Sequence, residues 1–405
     1  MYTGKCEMPG QRLCAAQAHG REEDAMFDDL MEKKEKKVEY IELIYDLIFV
    51  YVIGRNNSLL HNFSDGFVEF GAFMAYLMTT LAVIQIWNYS SYYINVYGRN
   101  SVRDHVFFFI NMFLLYFIGE GTRADWQGFH VQYHVAWALI LINIGMQYVI
   151  EYRNHSGEPI IQKQIRRLAA VLFAEAAVVA ADIIIYKTFQ TSWLSLAAIL
   201  VSMTIVTALG HNRGTDYIDF PHLSERAMLY VVFTFGEMII AIASFFDGAF
   251  SFRSTYFALA AFLIVVALFL SYEVFYDHII DREMQTNGLV YMLLHIFIIF
   301  SMNNITNGLE FMREEEIDLI PKLTFLIMSF ILFFGTLFLI GLGHAKARFR
   351  KTRDLFLSGT AIGLVFILLM FLFRENMVVN IAVSLVFVYV MFWRIYRYGD
   401  KIRNM

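Results

Sequence analysis

Charged side chains are scarce in this chain: Asp, Glu, Lys and Arg make up only 17% of its 405 residues. A soluble domain usually carries about 25% charged and about 45–50% apolar residues, whereas 58% of this chain is hydrophobic. The apolar residues fall in blocks of about 18–25 residues, the length of a helix that crosses a bilayer. The pattern excludes an ordinary soluble domain and predicts an all-α, polytopic transmembrane helix bundle.

Cysteine is almost absent, since Cys6 and Cys14 are the only two. Both lie in a polar N-terminal stretch, so neither a disulfide framework nor a cysteine zinc site is expected. That stretch also lacks an apolar h-region and is therefore not a cleavable signal peptide. We expect residues 1–37 to be a disordered cytoplasmic tail, or an extension upstream of the true start, and residues 38–405 to form the transmembrane domain.

Twelve apolar segments are long enough to span the bilayer. If the N-terminus is cytoplasmic, most of the 32 lysines and arginines fall on the cytoplasmic side and six fall opposite, as the positive-inside rule requires. We therefore expect both termini to be cytoplasmic. The six are Arg123, Lys187, Arg253, Arg313, Lys322 and Arg374, and the segments are 40–60, 67–96, 104–120, 130–151, 166–186, 192–210, 225–246, 254–277, 287–305, 321–343, 355–373 and 377–396.

An internal repeat is a further hypothesis, because a fixed shift along the chain aligns four polar residues at matching depths. Six spans separate the two copies, so they would share one orientation, as in parallel-repeat transporters. The halves would be residues 38–215 and 216–405. Chance matches in a chain of limited vocabulary are an equal alternative. The shift pairs Glu42 with Glu225, Tyr89 with Tyr272, Tyr93 with Tyr276 and Arg99 with Arg282.

Ionisable residues inside the apolar segments are the candidate functional groups, because burying a charge in a membrane is expensive. Glu42 and Asp46 lie one helical turn apart on the same face of the first segment. The pair could hold a proton, bind a cation or pair with Arg226, if the first and seventh segments touch. An ion pair with a purely structural role is an equally weighted alternative.

The run His222-Leu-Ser-Glu-Arg226 opens the seventh segment. Ser224 is placed to cap that helix, and the helix dipole favours Glu225 near its start. Glu237 lies twelve residues beyond Glu225, or about 18 Å of helix, and is predicted near the middle of the bilayer. We therefore rank it as a functional residue.

The remaining candidates have stronger structural alternatives. His295 lies inside the ninth segment and could relay protons, although a lone histidine is more often a satisfied core residue. Glu273 and Asp277 repeat the spacing of one turn, but near a segment end, where snorkelling to water explains them equally well. Glu175 and Asp182 share a face of the fifth segment, and either role fits them.

Motifs for enzymatic chemistry are missing. No nucleophile elbow, glycine-rich phosphate loop or nucleotide motif is present. His222 and Glu225 could offer two ligands, but no His-Glu-x-x-His or Glu-x-x-His repeat supports a metalloenzyme. We therefore expect no cofactor and no metal site.

Several motifs together resemble those of the bacterial low temperature requirement A (LtrA) family. Glu42-Leu-Ile-Tyr-Asp-Leu-Ile-Phe-Val50 is similar to its opening ELFFDLVFV signature. His222-Leu-Ser-Glu-Arg226 and Phe235-Gly-Glu-Met238 resemble its HLxER and LGE elements. The chain departs at Tyr45 and Phe235, both conservatively. The resemblance runs from about residue 38 to 395 and implies a multi-spanning bacterial membrane protein, without implying a molecular activity.

The resulting hypothesis is a proton- or cation-coupled transporter of a small solute in the bacterial inner membrane. Its partners would be that solute and membrane lipids, and no nucleic acid is expected. The alternatives are an intramembrane enzyme acting on a lipid and a membrane scaffold or sensor. A transporter needs polar residues at several depths along one path, whereas an enzyme concentrates them at one depth. The transporter residues would be Glu42, Asp46, Glu225, Arg226, Glu237 and His295, and the secondary candidates are His222, Glu273, Asp277, Glu175 and Asp182.

Overall fold

The computed structural model describes residues 36–121, 126–189, 193–211, 218–246, 251–346 and 353–403. Almost all of the predicted tail, with both cysteines, lies outside these residues. By internal contacts the chain divides into the units Met1–Lys37 and Val38–Met405. The second unit contains the helices and the candidate site.

The described part of the chain contains twelve α-helices, so the all-α prediction is confirmed. Between α1 and α2 lie a 3-10 turn, Asn57–His61, and a short antiparallel hairpin of β1 (Phe63–Ser64) and β2 (Phe67–Val68). A π-helical turn, Phe275–Ile279, continues α8. The helices are α1 Tyr40–Asn56, α2 Phe70–Tyr97, α3 Val102–Gly121, α4 Trp126–Asn154, α5 Pro159–Phe189, α6 Trp193–His211, α7 Phe220–Ala243, α8 Phe252–Val274, α9 Leu289–Phe311, α10 Leu319–His344, α11 Arg353–Leu372 and α12 Met377–Arg403.

Ten of these helices are long and apolar enough to cross a membrane. The other two are shorter: α1 has 17 residues and carries two carboxylates, and the apolar part of α6 is Trp193–Leu209. Each predicted segment corresponds to one helix, because backbone groups in hydrocarbon must be paired within the segment itself. The number of twelve spans stays a prediction.

The start of α7 differs from its prediction. The helix begins at Phe220, and its N-cap is Asp219, whose side chain accepts a hydrogen bond from the His222 N–H at 3.1 Å. Ser224 instead bonds the Pro221 carbonyl within the first turn, so the prediction that Ser224 caps the helix was wrong. The physical reason is that Pro221 lies in the first turn, where its missing N–H has no intrahelical partner to lose.

Helices α1 and α7 run parallel and side by side. Near their starts, Glu42 contacts His222 and Arg226. Near their ends, Gly54 adjoins Glu237 so closely that a Cβ at Gly54 would overlap that carboxylate. We call the side of the bundle at which α1 begins the N-side, and the other the opposite side.

Several pairs of packed helices in the first half have a packed counterpart in the second half, as the proposed repeat requires. The pairs α1–α2, α1–α3, α3–α4 and α5–α6 pack together, and so do α7–α8, α7–α9, α9–α10 and α11–α12. However, α4 packs extensively on α5, whereas α10 and α11 contact each other much less. The repeat therefore stays a prediction.

Candidate functional site

A buried cluster of ionisable side chains lies between α1 and α7 near the N-side. Glu42 Oε2 is 3.3 Å from His222 Nε2 and 3.3 Å from Arg226 Nε. Arg226 Nη2 also donates a hydrogen bond to Asp46 Oδ1. The four side chains are no more than 3% exposed. We call Glu42, Asp46, His222 and Arg226 the carboxylate cluster.

Helix α2 closes the cluster from a third direction. Trp87 donates from its indole nitrogen to Asp46 Oδ1 at 2.8 Å, so that one oxygen accepts from both Trp87 and Arg226. The Arg226 guanidinium carbon also lies 5.9 Å from the centre of the Trp87 ring, a cation–π distance. These contacts fix Asp46 and Arg226 in one geometry.

Asn95 on α2 sets the tautomer of His222. Its Oδ1 accepts from the Asp219 N–H at 3.1 Å, which identifies the other amide atom as the NH2 group. That group donates to the Asp219 carbonyl at 2.7 Å and to His222 Nδ1 at 3.1 Å. A neutral His222 therefore carries its proton on Nε2, facing Glu42. Charging His222 at Nδ1 requires Asn95 to release it.

A cavity of about 240 Å³ lies on the N-side, beside the segment that Asn95 holds. Ile218, next to Asp219, forms part of its wall. The rest of the lining combines tyrosine rings with a few charged groups, so the cavity can contact both apolar and polar parts of a small molecule. These lining residues include Tyr89, Tyr92, Tyr97, Tyr148, Arg99, His155 and Glu158.

Glu175 joins a second polar network at the wall of this cavity. The Tyr89 hydroxyl donates to Glu175 Oε2 at 3.2 Å and accepts from Gln85 Nε2 at 2.8 Å. Gln85 also donates to Ser202 at 2.8 Å. Glu175 is 3% exposed, and its Oε1 has no hydrogen-bond partner in the described part of the chain. A carboxyl group in this setting is much less costly to bury when it is protonated.

An asparagine-rich network lies near the end of α1, toward the opposite side of the bundle. Asn57 Oδ1 accepts from Asn303 at 2.8 Å and from Asn307 at 2.9 Å. The Tyr76 hydroxyl accepts from Asn303 at 2.9 Å and donates to Asn304 at 2.5 Å. Sequence reasoning missed this network because it weighed charged residues and passed over amides inside an apolar segment.

Aromatic rings separate the asparagine network from the carboxylate cluster. The Trp87 and Tyr230 ring centres are 4.5 Å apart, and Phe49 meets Tyr230 edge-on at 6.5 Å. All three side chains are buried. Phe49 lies between Asp46 and Asn56 along α1, and Trp87 lies between Tyr76 and Asn95 along α2.

The other predicted residues lie outside the carboxylate cluster. Glu225 is half-buried and lies near Tyr276, and Glu273 and Asp277 are exposed. His295 is buried, accepts from the Tyr272 hydroxyl at 3.0 Å and donates from Nδ1 to the Tyr291 carbonyl at 2.8 Å.

Glu237 and Asp182 lie away from the cluster as well. Glu237 is half-buried beside Gly54 and lies six residues from the end of α7. Its predicted depth near the middle of the bilayer stays a prediction. Asp182 lies beside His130 and His134, whose rings stack on each other with centres 3.8 Å apart. These two histidines were missed, although their spacing of one helical turn was a usable signal.

The chain matches a known protein family. Residues 37–393 match the family described as bacterial low temperature requirement A protein (LtrA). No curated protein and no solved structure matches the chain. The match covers nearly the whole unit that carries the helices and the carboxylate cluster, and many of those helices are apolar enough to cross a membrane. The chain therefore belongs to the low temperature requirement A family of membrane proteins.

Proposed function

We propose that the protein is a proton- or cation-coupled transporter of a small solute, in the bacterial cytoplasmic membrane with both termini in the cytoplasm. The observation that carries this proposal is the series of buried polar groups along α1. Glu42 and Asp46 lie near the N-side, Asn56 bonds Thr80 at 3.3 Å further along, and Asn57 holds the asparagine network. From Glu42 to Asn56 the helix rises about 21 Å, and Asn57 begins the 3-10 turn that follows it.

This series favours transport over the alternative functions. A carrier needs polar groups at successive depths along one path, whereas an intramembrane enzyme needs them around one reacting bond. A scaffold would be stabilised by isolated pairs, and burying an extended polar series without a function is expensive. The cavity of about 240 Å³ beside Ile218 is the proposed solute site.

Coupling would run through Asn95. A proton that charges His222 at Nδ1 removes the acceptor that Asn95 uses, so Asn95 must reorient. Because Asn95 also holds both backbone groups of Asp219, its movement alters the segment next to Ile218 in the cavity wall. Solute in the cavity and charge on His222 are then linked, and linkage of this kind is reciprocal.

The aromatic layer of Phe49, Trp87 and Tyr230 would act as the closed barrier of this conformation. Opening toward the opposite side requires these rings to separate and the asparagine network to become accessible. Trp87 bonds Asp46, so rearrangement of the cluster would reach the barrier directly. This gives alternating access a physical route, by analogy with other transporters.

The test is proton flux in liposomes that contain the purified protein and a pH-sensitive dye, during a screen of small solutes. We expect a solute that stimulates proton movement in the wild type, and loss of that movement in Glu42→Gln. The Gln substitution keeps the shape of the side chain and removes the titrating group. Asn95→Leu should retain solute binding while losing solute-stimulated proton flux. Glu237→Gln decides whether Glu237 also carries protons.

The matched control is Glu273→Gln, because Glu273 is an exposed carboxylate on α8 outside the carboxylate cluster. It should leave the flux at the wild-type level. Solute-stimulated flux that survives Glu42→Gln would assign Glu42 to structure. A folded wild-type protein that gives no flux with any solute would overturn the proposal and favour the enzyme or the scaffold.

A further inference from the structure

Two histidines and an aspartate converge near the opposite side of the bundle, away from the carboxylate cluster. His130 and His134 lie one turn apart near the start of α4, and Asp182 lies near the end of α5. Asp182 Oδ2 is 3.5 Å from His130 Nε2 and 3.2 Å from His134 Nε2. All three side chains are fully buried.

The orientation of His134 leaves a lone pair facing the carboxylate. Its Nδ1 lies 2.8 Å from the carbonyl oxygen of His130, which can only accept, so Nδ1 carries a proton. In the neutral ring Nε2 is then unprotonated, and it faces Asp182 Oδ2 at 3.2 Å and the Ser195 hydroxyl at 3.0 Å. A lone pair beside a carboxylate oxygen is repulsive unless a positively charged species lies between them.

Further polar atoms at this point lack partners. Within the described residues, the side chains of His130 and Asp182 make no hydrogen bond of good geometry, although His130, His134 and Ser195 all lie beside the carboxylate of Asp182. Leaving a buried polar atom unpaired is energetically unfavourable. Three of the atoms at this point, His130 Nε2, His134 Nε2 and Asp182 Oδ2, lie close enough together to hold one metal ion.

The distances fit a metal ion. Zn²⁺ binds histidine nitrogen at about 2.0–2.1 Å and carboxylate oxygen at about 2.0–2.2 Å in a tetrahedron. Neighbouring ligand atoms of such a tetrahedron are about 3.3–3.5 Å apart, and the two measured separations are 3.5 and 3.2 Å. We propose that His130 Nε2, His134 Nε2 and Asp182 Oδ2 bind a divalent transition-metal ion of the Zn²⁺ class.

The surroundings support the ligands as an outer shell does in metal sites. The His130 carbonyl orients His134 through Nδ1. Tyr186 stacks on His130 with ring centres 3.6 Å apart, and Trp126 contacts the same ring edge-on at 5.5 Å. The Ser195 hydroxyl lies 3.0 Å from His134 Nε2, so it is close enough to the proposed ligands to bond a water held at the ion.

The ligand chemistry selects the metal class. Two imidazoles and one carboxylate suit Zn²⁺, Co²⁺, Ni²⁺ or Cu²⁺, whereas Mg²⁺ and Ca²⁺ prefer oxygen ligands. A proton shared by the histidines and Asp182 is the competing explanation for the same contacts. Metal binding by the purified protein distinguishes the two.

The experiment uses the full-length chain in detergent, purified with a tag that contains no histidines. The protein is stripped with EDTA, incubated with ZnCl₂, desalted and measured by mass spectrometry for zinc per chain. We expect about one Zn²⁺ per wild-type chain, and with Co²⁺ the visible absorption of a tetrahedral ion. His130→Gln and Asp182→Asn should each weaken Zn²⁺ binding by more than the roughly 10–100-fold loss typical of an outer-shell change.

Two further variants sharpen the result. His295→Gln removes a buried histidine from another part of the bundle and should keep the zinc. Ser195→Ala should weaken binding by about tenfold, because it removes an outer-shell partner and no ligand. A monodisperse wild-type protein that takes up neither Zn²⁺ nor Co²⁺ would overturn the proposal without any variant. Zinc retained by His130→Gln and Asp182→Asn would place the metal elsewhere and overturn it equally.

Discussion

Replacing Arg226 tests whether the carboxylate cluster is the main electrostatic element of the bundle. Arg226 is fully buried, and it contacts Glu42 at 3.3 Å and Asp46 through a direct hydrogen bond. At an effective dielectric constant of about 20, a pair of unit charges 3.3 Å apart attracts by about 5 kcal/mol. Much of that attraction offsets the desolvation of the three groups, so the net stabilisation is smaller.

Arg226→Gln removes the positive charge and leaves two buried carboxylates beside each other. Breaking a buried ion pair in this way destabilises a protein by about 3–5 kcal/mol. Adding Asp46→Asn removes one of the uncompensated charges and should recover a large part of that loss. The two substitutions therefore have a double-mutant interaction energy, whereas distant sites add within about 0.5 kcal/mol.

The assay is equilibrium unfolding in mixed micelles, followed by circular dichroism. Arg153→Gln is the matched control, because Arg153 is exposed at the end of α4, and it should change the free energy of unfolding by no more than about 0.5 kcal/mol. The reasoning is refuted if Arg226→Gln lowers that free energy by less than about 1 kcal/mol. A double variant whose loss is the sum of the two single losses would refute it as well.

Three further predictions follow from contacts elsewhere in the bundle. Asn57→Leu should lower the free energy of unfolding by about 1–3 kcal/mol, because Asn57 Oδ1 accepts from both Asn303 and Asn307. The assay is the same equilibrium unfolding in mixed micelles. An effect smaller than that of the Arg153→Gln control would contradict this prediction. Gly308→Ala should lower the free energy of unfolding by about 1–3 kcal/mol through overpacking. A Cβ at Gly308 would lie 3.0 Å from Leu326 Cδ1 and 3.3 Å from Leu326 Cα. A neutral result in thermal unfolding would show that α9 and α10 can separate. The hydrogen bond to Glu310 raises the pKa of His61 above its ordinary value. This contact therefore stabilises the fold below about pH 6.5, and its contribution is lost as pH rises through the raised pKa. The difference in stability between wild type and His61→Gln should shrink on going from acid to alkaline pH.

The positions of the helices were predictable from hydropathy alone, because the bilayer demands about 20 apolar residues with internally paired backbones. Helix boundaries were harder to predict where a local feature, such as a cap or a proline, sets the first residue of the helix. The start of α7 depends on Asp219 as a cap and on Pro221 in the first turn, and neither contributes apolar character. The same applies to α5, which begins at Pro159, seven residues before the predicted segment.

The residues of the carboxylate cluster were predictable as candidates, and their partners only in part. Glu42 and Asp46 are charges in an apolar run, so their cost in a membrane marks them. The contact of Asp46 with Arg226 spans 180 positions and depends on α1 lying beside α7. Asn95 was not identified, because a neutral amide carries little penalty in a sequence pattern. Asn95 matters because it sets the tautomer of His222, which lies on α7.

The histidine pair shows a different kind of omission. The search for metal sites used compact sequence motifs, and a site built from two ligands on one helix and a third on its neighbour has no such motif. His130 and His134 supply the spacing of one turn, and Asp182 is separated from them by about fifty positions. Only the packing of α4 on α5 brings the carboxylate to the rings.

Helix α2 explains how such separate polar groups coexist in one bundle. Its Trp87 and Asn95 face the carboxylate cluster, whereas its Gln85 and Tyr89 bond α5 and α6. A helix at the lipid boundary must keep one face apolar, so polar groups directed to two different neighbours require α2 to be surrounded by protein. Most of its residues are indeed buried. Polar residues scattered around the whole circumference of an apolar segment therefore identify a central helix, and here that helix connects the carboxylate cluster to the wall of the cavity.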